Sequence, residues 1–255
     1  MMKFDQQAFE ELTPQCRGKV VYHDVVESTN DEARKDIISG KCSSGNLYIA
    51  GYQTSGRGRG GNRWVCPEGE GLLFSLVIDP DVAPALWYRM SLAAGLAIVD
   101  VLRDLGIEAK LKWPNDIYIN DKKLGGILIE KVDDLLIVGI GLNVNVREFP
   151  SEVAERATSL SAVLGENVNR GVLLSEIVCS LYKNGSLIGE SFGRLIERVM
   201  ECFYLKNERV SMIVNGETVM GQVLGMTENG YLMIKKEGGF VEINQASEIK
   251  ILRLS

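Results

Sequence analysis

The chain has 255 residues with 45% hydrophobic and 24% charged content, enough for one large core plus a small module and ordinary for a soluble globular protein. Its formal net charge of −6 argues against general nucleic-acid binding, and no apolar run approaches the roughly 20 residues needed to span a bilayer. Five scattered cysteines without a C-x-x-C pair, and His23 as the single histidine, point to reduced thiols, no metal ligand set and a cytoplasmic location.

The opening "MMKFDQQAFEEL" reads as a polar amphipathic helix, not a signal peptide. "KVVYHDVV" (19–26) predicts a strand, which makes His23 a strand residue in a pleated alternation rather than part of a Ser-His-Asp arrangement. "TNDEARKDIISG" (29–40) predicts a helix ending at Gly40, with Thr29 and Glu32 spaced as a capping box. "NLYIAGYQ" (46–53) predicts a strand, and "GLLFSLVI" (71–78) a strand buried on both faces. Over 84–105, Leu86, Met90, Ala93, Ala97, Val101 and Leu105 fall on one helical stripe, ended by Gly106. "EAKLKW", "DIYIN" and "KLGGILIE" predict strands, with Asn120-Asp121 turning the hairpin, and "LLIVGIGLNVNV" (135–146) another buried strand. Residues 171–205 are helical, with a break near Asn184-Gly185. From 208 onward three hairpin signals follow closely, Asn215-Gly216, Asn229-Gly230 and Gly238-Gly239. They predict a small antiparallel barrel, dividing the chain into 1–206 and 207–255.

Three motifs carry chemistry. In "TSGRGRGGNRW" (54–64), four glycines and three arginines stand together without an acid. This is neither a G-x-G-x-x-G nor a Walker loop. Alternation lets the backbone of Gly58 approach a ligand while Arg57 and Arg59 converge on it, and Trp64 follows. A solvated basic loop is the plain alternative. In "KWPNDIYINDKKLGGILIE" (112–130), Lys112, Trp113, Asn115 and Asp116 place a cation, a stacking surface, an amide and a carboxylate at one strand end. Pro114 cannot donate to a ladder and marks that end. Lys123 follows on the return strand, then Gly125-Gly126, where a ligand or another backbone comes close. In "ESTN" (27–30), Ser28, Thr29 and Asn30 can cap a helix, aim polar groups at a small ligand, or both.

Together these motifs resemble the biotin–protein ligases. The resemblance rests on Ser28-Thr29-Asn30, Gln53, Gly56 to Trp64, Lys112 to Asp116, Lys123 to Leu128 and "GIGLNVN" (139–145), and it covers about residues 19–146. Asn62 stands where the family usually has arginine. About 18 residues precede the first strand, too few for the DNA-binding module of repressor-type members. "INQASEIKIL" lacks the Gly-Glu usual near the end.

The resemblance implies an α+β fold: a mixed, largely antiparallel sheet packed with helices, like class II synthetases, and an SH3-like C-terminal barrel. It implies two steps. Biotin is activated by ATP, with Mg²⁺, to biotinyl-5′-adenylate, and the acyl group then passes to a lysine of a biotin carboxyl carrier domain. Ser28, Thr29, Asn30, Gln53, Arg57, Gly58, Arg59, Lys123 and Gly126 are expected to bind biotin. Arg57, Arg59, Trp64, Lys112, Asn115, Lys123 and Asn143 are expected to bind ATP or adenylate. Lys123, Arg59, Asp116 and Lys112 are expected to carry the chemistry, Asp116 by orienting or deprotonating the acceptor lysine. No nucleic-acid or membrane partner is expected, and a homodimer fits the family. A lipoate or octanoate ligase or transferase, and a non-catalytic biotin sensor, are the alternatives.

Overall fold

A computed structural model describes residues 18–252; the amphipathic helix expected at the N-terminus lies outside them. Strands β1 (Val20–Val26), β2 (Leu47–Gln53), β3 (Gly71–Ile78), β4 (Lys110–Lys112), β5 (Asp116–Ile119), β6 (Lys122–Val132) and β7 (Leu135–Asn143) form one sheet in the order β1-β2-β3-β7-β6-β5-β4. Only β1 and β2 pair in parallel, and helix α1 (Thr29–Ile38) supplies the crossover such a pair needs. The other neighbours pair antiparallel. Asn120 (φ 47°) and Asp121 (φ 64°) both occupy the left-handed region, so the β5–β6 hairpin closes as expected.

All eight residues of β3 are buried, because the sheet is covered on both faces. Leu72, Phe74 and Leu76 face the main core with Leu96 and Leu102 of helix α2 (Met90–Asp104). Val77 faces the opposite side, with Ala33 and Ile37 of α1. The helix expected over 84–105 is two elements: a 3-10 segment Pro84–Arg89, then α2. The stripe is also too narrow a description. Leu92, Ala94, Leu96, Ile98 and Leu102 are buried too, while Leu105 lies past the helix and is 40% exposed. The expectation of no membrane-length apolar run is likewise corrected. Pro84–Asp104 has the length and composition to span a bilayer, but 67% of its apolar window is buried inside the protein, as in a core helix.

Helix α3 (Leu160–Leu164), not foreseen, is capped by the Ser159 hydroxyl and ended by Gly165 at φ 79°. The helical stretch at 171–205 divides into α4 (Arg170–Gly185) and α5 (Phe192–Glu201). Strands β8 (Arg209–Val214), β9 (Glu217–Met226), β10 (Leu232–Lys236), β11 (Gly239–Ile243) and β12 (Ser247–Ile251) form a five-stranded antiparallel sheet, in the order β11-β10-β9-β8-β12. Among the described residues no pairing joins the edge strands β11 and β12 into a closed ring.

This second sheet shares its core with the first unit. Val210, Met212, Val223, Leu232 and Ile234 belong to the same apolar cluster as Leu92, Phe192 and Ile196. The β9–β10 turn is one point of contact. Trp113 Nε1 donates to the Gly230 carbonyl at 3.1 Å, and the Tyr88 hydroxyl donates to the Asn229 carbonyl at 2.9 Å. Gly230 is required there: its φ is 77°, and a Cβ would sit 2.9 Å from Leu92 Cδ1.

Candidate active site

Strand register places one row of residues across the sheet: Ala50, Leu73, Gly141, Gly126, Asp116 and Lys112 are successive cross-strand partners on β2, β3, β7, β6, β5 and β4. Because side chains alternate faces, the neighbouring row on the same face is Tyr48, Ser75, Gly139 and Leu128. α1 covers the far end of this face, where Ala33 and Ile37 meet Tyr48 and Ile137. The three glycines lower the floor between α1 and Lys112. Trp64 lies on Gly141, whose Cβ would come within 2.7 Å of the indole. At Gly126 a Cβ would stand 3.4 Å from Asp116 Oδ1 and 3.5 Å from Lys123 Nζ.

Charge gathers at one end of the row. Lys123 Nζ pairs with Asp116 Oδ1 at 2.7 Å and stands 5.7 Å from the centre of the Trp64 ring. An Arg59 guanidinium nitrogen lies 3.5 Å from Asn115 Oδ1, and Asn115 is itself fixed by donating to the Ile127 carbonyl at 2.7 Å. Lys112 Nζ donates to the Ile249 carbonyl of β12 at 3.1 Å and lies 5.1 Å from the centre of the Tyr118 ring. Burial pushes both Arg59 and Lys112 below their ordinary values, with the Asp116 carboxylate pulling the other way. Three cations thus surround one carboxylate, two of them partly stripped of water. Such a site is complemented by an added anion.

A polar group occupies the other end. The N-cap of α1 is Ser28, not Thr29, and no side chain makes a capping-box bond. Glu32 instead pairs with Lys35 at 2.7 Å. Gln53 takes over the capping: its Oε1 accepts the Thr29 N–H at 2.8 Å and stands 3.1 Å from the Thr29 hydroxyl. Ser75 lies 2.7 Å from that hydroxyl and 2.5 Å from Asn30 Oδ1. The Asn30 amide nitrogen donates to Glu130 Oε2 at 2.6 Å, which fixes the amide orientation and makes Ser75 the donor to Oδ1. Ser28, Thr29 and Asn30 are all buried.

The arginine loop is a closed turn. Gly58 N–H donates to the Asn62 carbonyl at 2.7 Å, Trp64 N–H to the Gly56 carbonyl at 2.9 Å, and Asn62 Nδ2 to the Arg59 carbonyl at 2.9 Å. Gly60 and Gly61, at φ 63° and 79°, turn the chain. Asn62 therefore closes the turn through its side chain. The two arginines do not converge. Arg57 turns to Asp31 (2.6 Å) and Glu130 (3.1 Å), while Arg59 turns to Asn115. Asn143 sits at the end of β7, where its amide donates to the Thr158 carbonyl at 3.1 Å.

Sequence reasoning missed Ser75, Asp31, Glu130, Gly139 and Gly141. The two glycines left a readable trace, since "VGIGLN" places them two apart within a buried strand and so on one face. The carboxylates left none, because their partners lie far away along the chain. Among the described residues no group of three or more His, Cys, Asp or Glu is placed to hold a metal ion.

The fold and site therefore define a class: a mixed α+β domain with a buried polar group at one end of a sheet face and a cluster of cations around a carboxylate at the other. The sequence profile of the biotin/lipoate A/B protein ligase family matches residues 22–145. The bifunctional ligase/repressor BirA of Bacillus subtilis (strain 168) is 34% identical over 239 residues, spanning 89% of this chain and 72% of that protein. The biotin–[acetyl-CoA-carboxylase] ligase of Mycobacterium tuberculosis is 39% identical over 138 residues, spanning 52% of this chain and 51% of that protein. The solved structure of the biotin protein ligase from Aquifex aeolicus in complex with biotin and ATP aligns with a TM-score of 0.82 at 31% identity, covering 92% of this chain and 99% of that one. This chain belongs to the biotin/lipoate A/B protein ligase family.

Proposed function

We propose that the chain activates biotin with ATP and transfers it to a lysine of a biotin carboxyl carrier domain. The observation that carries this reading is the single row of the sheet, with its glycine floor between the Ser28–Gln53 polar group and the Lys112–Asp116–Lys123 cluster. A neutral, hydrogen-bonding ring at one end and a carboxylate at the other would match it.

Ser28, Thr29, Asn30 and Gln53 read the ring. Gly126, Gly58 and Trp64 enclose the chain that follows. Arg59 and Lys123 meet the carboxylate and the α-phosphate, with Lys112, Asn115 and Asn143 nearby for the nucleotide, whereas Arg57, paired with Asp31 and Glu130, holds the loop from the other end. In the first step a biotin carboxylate oxygen bonds to the α-phosphorus, and the bond to the β-phosphate oxygen breaks, releasing pyrophosphate. Both reactants are anions, so the cations lower the barrier by offsetting charge that concentrates in the transition state. In the second step the acceptor amine attacks the acyl carbon and AMP leaves. Asp116, held by Lys123, orients the amine and takes its proton. Mg²⁺ would arrive on the ATP phosphates, where it supplies further charge neutralisation. We place the division between the catalytic unit and the second sheet at 206/207, and assign the chain to the cytoplasm, with no nucleic-acid or membrane partner and with a homodimer as its assembly.

Biotin-dependent exchange of labelled pyrophosphate into ATP tests the first step. Exchange that requires biotin supports the reading. Exchange with lipoate or octanoate instead assigns the site to the other branch of the family, and biotin binding without exchange makes it a sensor.

A further inference from the structure

We infer that Glu130 is a positioning residue that ties the pocket-lining end of α1 to the arginine loop. The inference rests on the ligase reading above. β6 carries Lys123 and Gly126 near its start, and alternation brings Leu128 and Glu130 onto the same face as Gly126. The Glu130 carboxylate therefore stands on the same sheet face as Gly126, further along β6 and away from Lys123 and Asp116.

Both of its oxygens are used. Oε2 accepts from Asn30 Nδ2 at 2.6 Å and from Arg57 at 3.1 Å, and Oε1 accepts from Arg34 at 3.0 Å. The donors come from the first turn of α1, its second turn and the loop. Asn30 transmits the constraint inward, because Ser75 donates to its Oδ1 at 2.5 Å. Gly139 makes room for this arrangement: a Cβ there would collide with Asn30.

Arg57 shows what the carboxylate does for the loop. Its guanidinium is held by Glu130 and Asp31, so the loop is anchored to α1 and β6 by the protein's own charges before a substrate arrives. Anchoring in advance reduces the ordering cost that ligand binding would otherwise bear. An exposed ion pair does little of this. Here, however, Asn30 is only 4% exposed and the Glu130 side chain 17%, so replacing the carboxylate exchanges a charge-assisted bond to a buried amide for a weaker one. The chemistry at Lys123 and Asp116 touches none of these atoms.

The test compares full-length wild type with Glu130→Gln, which keeps the shape and removes the charge, and Glu130→Asp, which keeps the charge and shortens the reach. Biotin-dependent pyrophosphate exchange should show Glu130→Gln raising KM for biotin about tenfold, with kcat within about twofold of wild type. Glu130→Asp should fall between. An unchanged KM, or a fall in kcat at unchanged KM, overturns the inference. A second readout needs no substrate: trypsin should cut the arginine loop several-fold faster in Glu130→Gln than in wild type, as roughly expected when a loop loses an anchor. Equal cutting overturns the inference even where wild type shows no exchange, and that lack of exchange would by itself refute the ligase reading.

Discussion

Gly139→Ala is the sharpest probe of the pocket, because one added methyl meets one identified side chain. The Gly139 backbone is not in the left-handed region, so alanine is tolerated conformationally. Its Cβ, however, would fall 2.9 Å from Asn30 Cγ and 3.0 Å from Nδ2, and closer still to Oδ1. The Asn30 amide must move, and it is held by Ser75 at 2.5 Å and Glu130 at 2.6 Å. Losing the neutral bond costs about 1 kcal/mol and the charge-assisted one about 1.5–3 kcal/mol, while removing a strand glycine returns about 0.5–1 kcal/mol. The net expectation is about 1.5–3.5 kcal/mol of lost stability, read by urea denaturation. KM for biotin should rise at least about tenfold, since the displaced amide leaves the ligand wall. A double-mutant cycle with Asn30→Ala isolates the cause: once the amide is gone, the added methyl should cost almost nothing. A Gly139→Ala protein with wild-type stability and KM, or one whose penalty persists beside Asn30→Ala, would refute the reasoning.

Other perturbations act at the charged end. Lys123→Ala should cut adenylate formation at least about a hundredfold in a folded protein, measured by pyrophosphate exchange; a wild-type rate removes Lys123 from its role. Arg59→Gly removes a charge and adds flexibility where the loop faces Asn115, so the mutant should still form adenylate but release it, and labelling of serum albumin with biotin should exceed that by wild type. Lys112→Met should raise the melting temperature at neutral pH while lowering activity. Burial depresses the folded value of Lys112, so between that value and the unfolded one, about 10.4, the unfolded chain holds more protons, and stability from this group rises with pH. The melting-temperature gap between Lys112→Met and wild type should therefore narrow as pH climbs through that window, and a constant gap would exclude the burial explanation.

The legible parts of the sequence were those governed by local rules. Continuous apolar runs marked β3 and β7, and Asn120-Asp121 marked its hairpin through residues that tolerate positive φ. Lys123, Asp116 and Asn115 come together because the β5–β6 hairpin folds one motif on itself, and Arg59 joins them at Asn115 from the loop after β2. Glu130 was not, since its donor Asn30 lies 100 residues away and nothing local marks the pair. The capping of α1 failed for the same reason. A local Thr29–Glu32 pattern lost to Gln53, which arrives from a neighbouring strand and offers the helix a better-placed acceptor. The helix over 84–105 was read as having one apolar stripe because periodicity cannot report that the second sheet and α4 cover its remaining faces.

Mass spectrometry of a purified biotin carboxyl carrier domain tests the central claim most directly. The carrier is incubated with this chain, biotin and ATP, and its intact mass and modified residue are read. The account predicts one added biotinyl group on a single lysine, dependent on both biotin and ATP and lost with Lys123→Ala. A carrier that stays unmodified with active wild-type protein present, or that gains a lipoyl or octanoyl group from the corresponding acid in place of biotin, would contradict it.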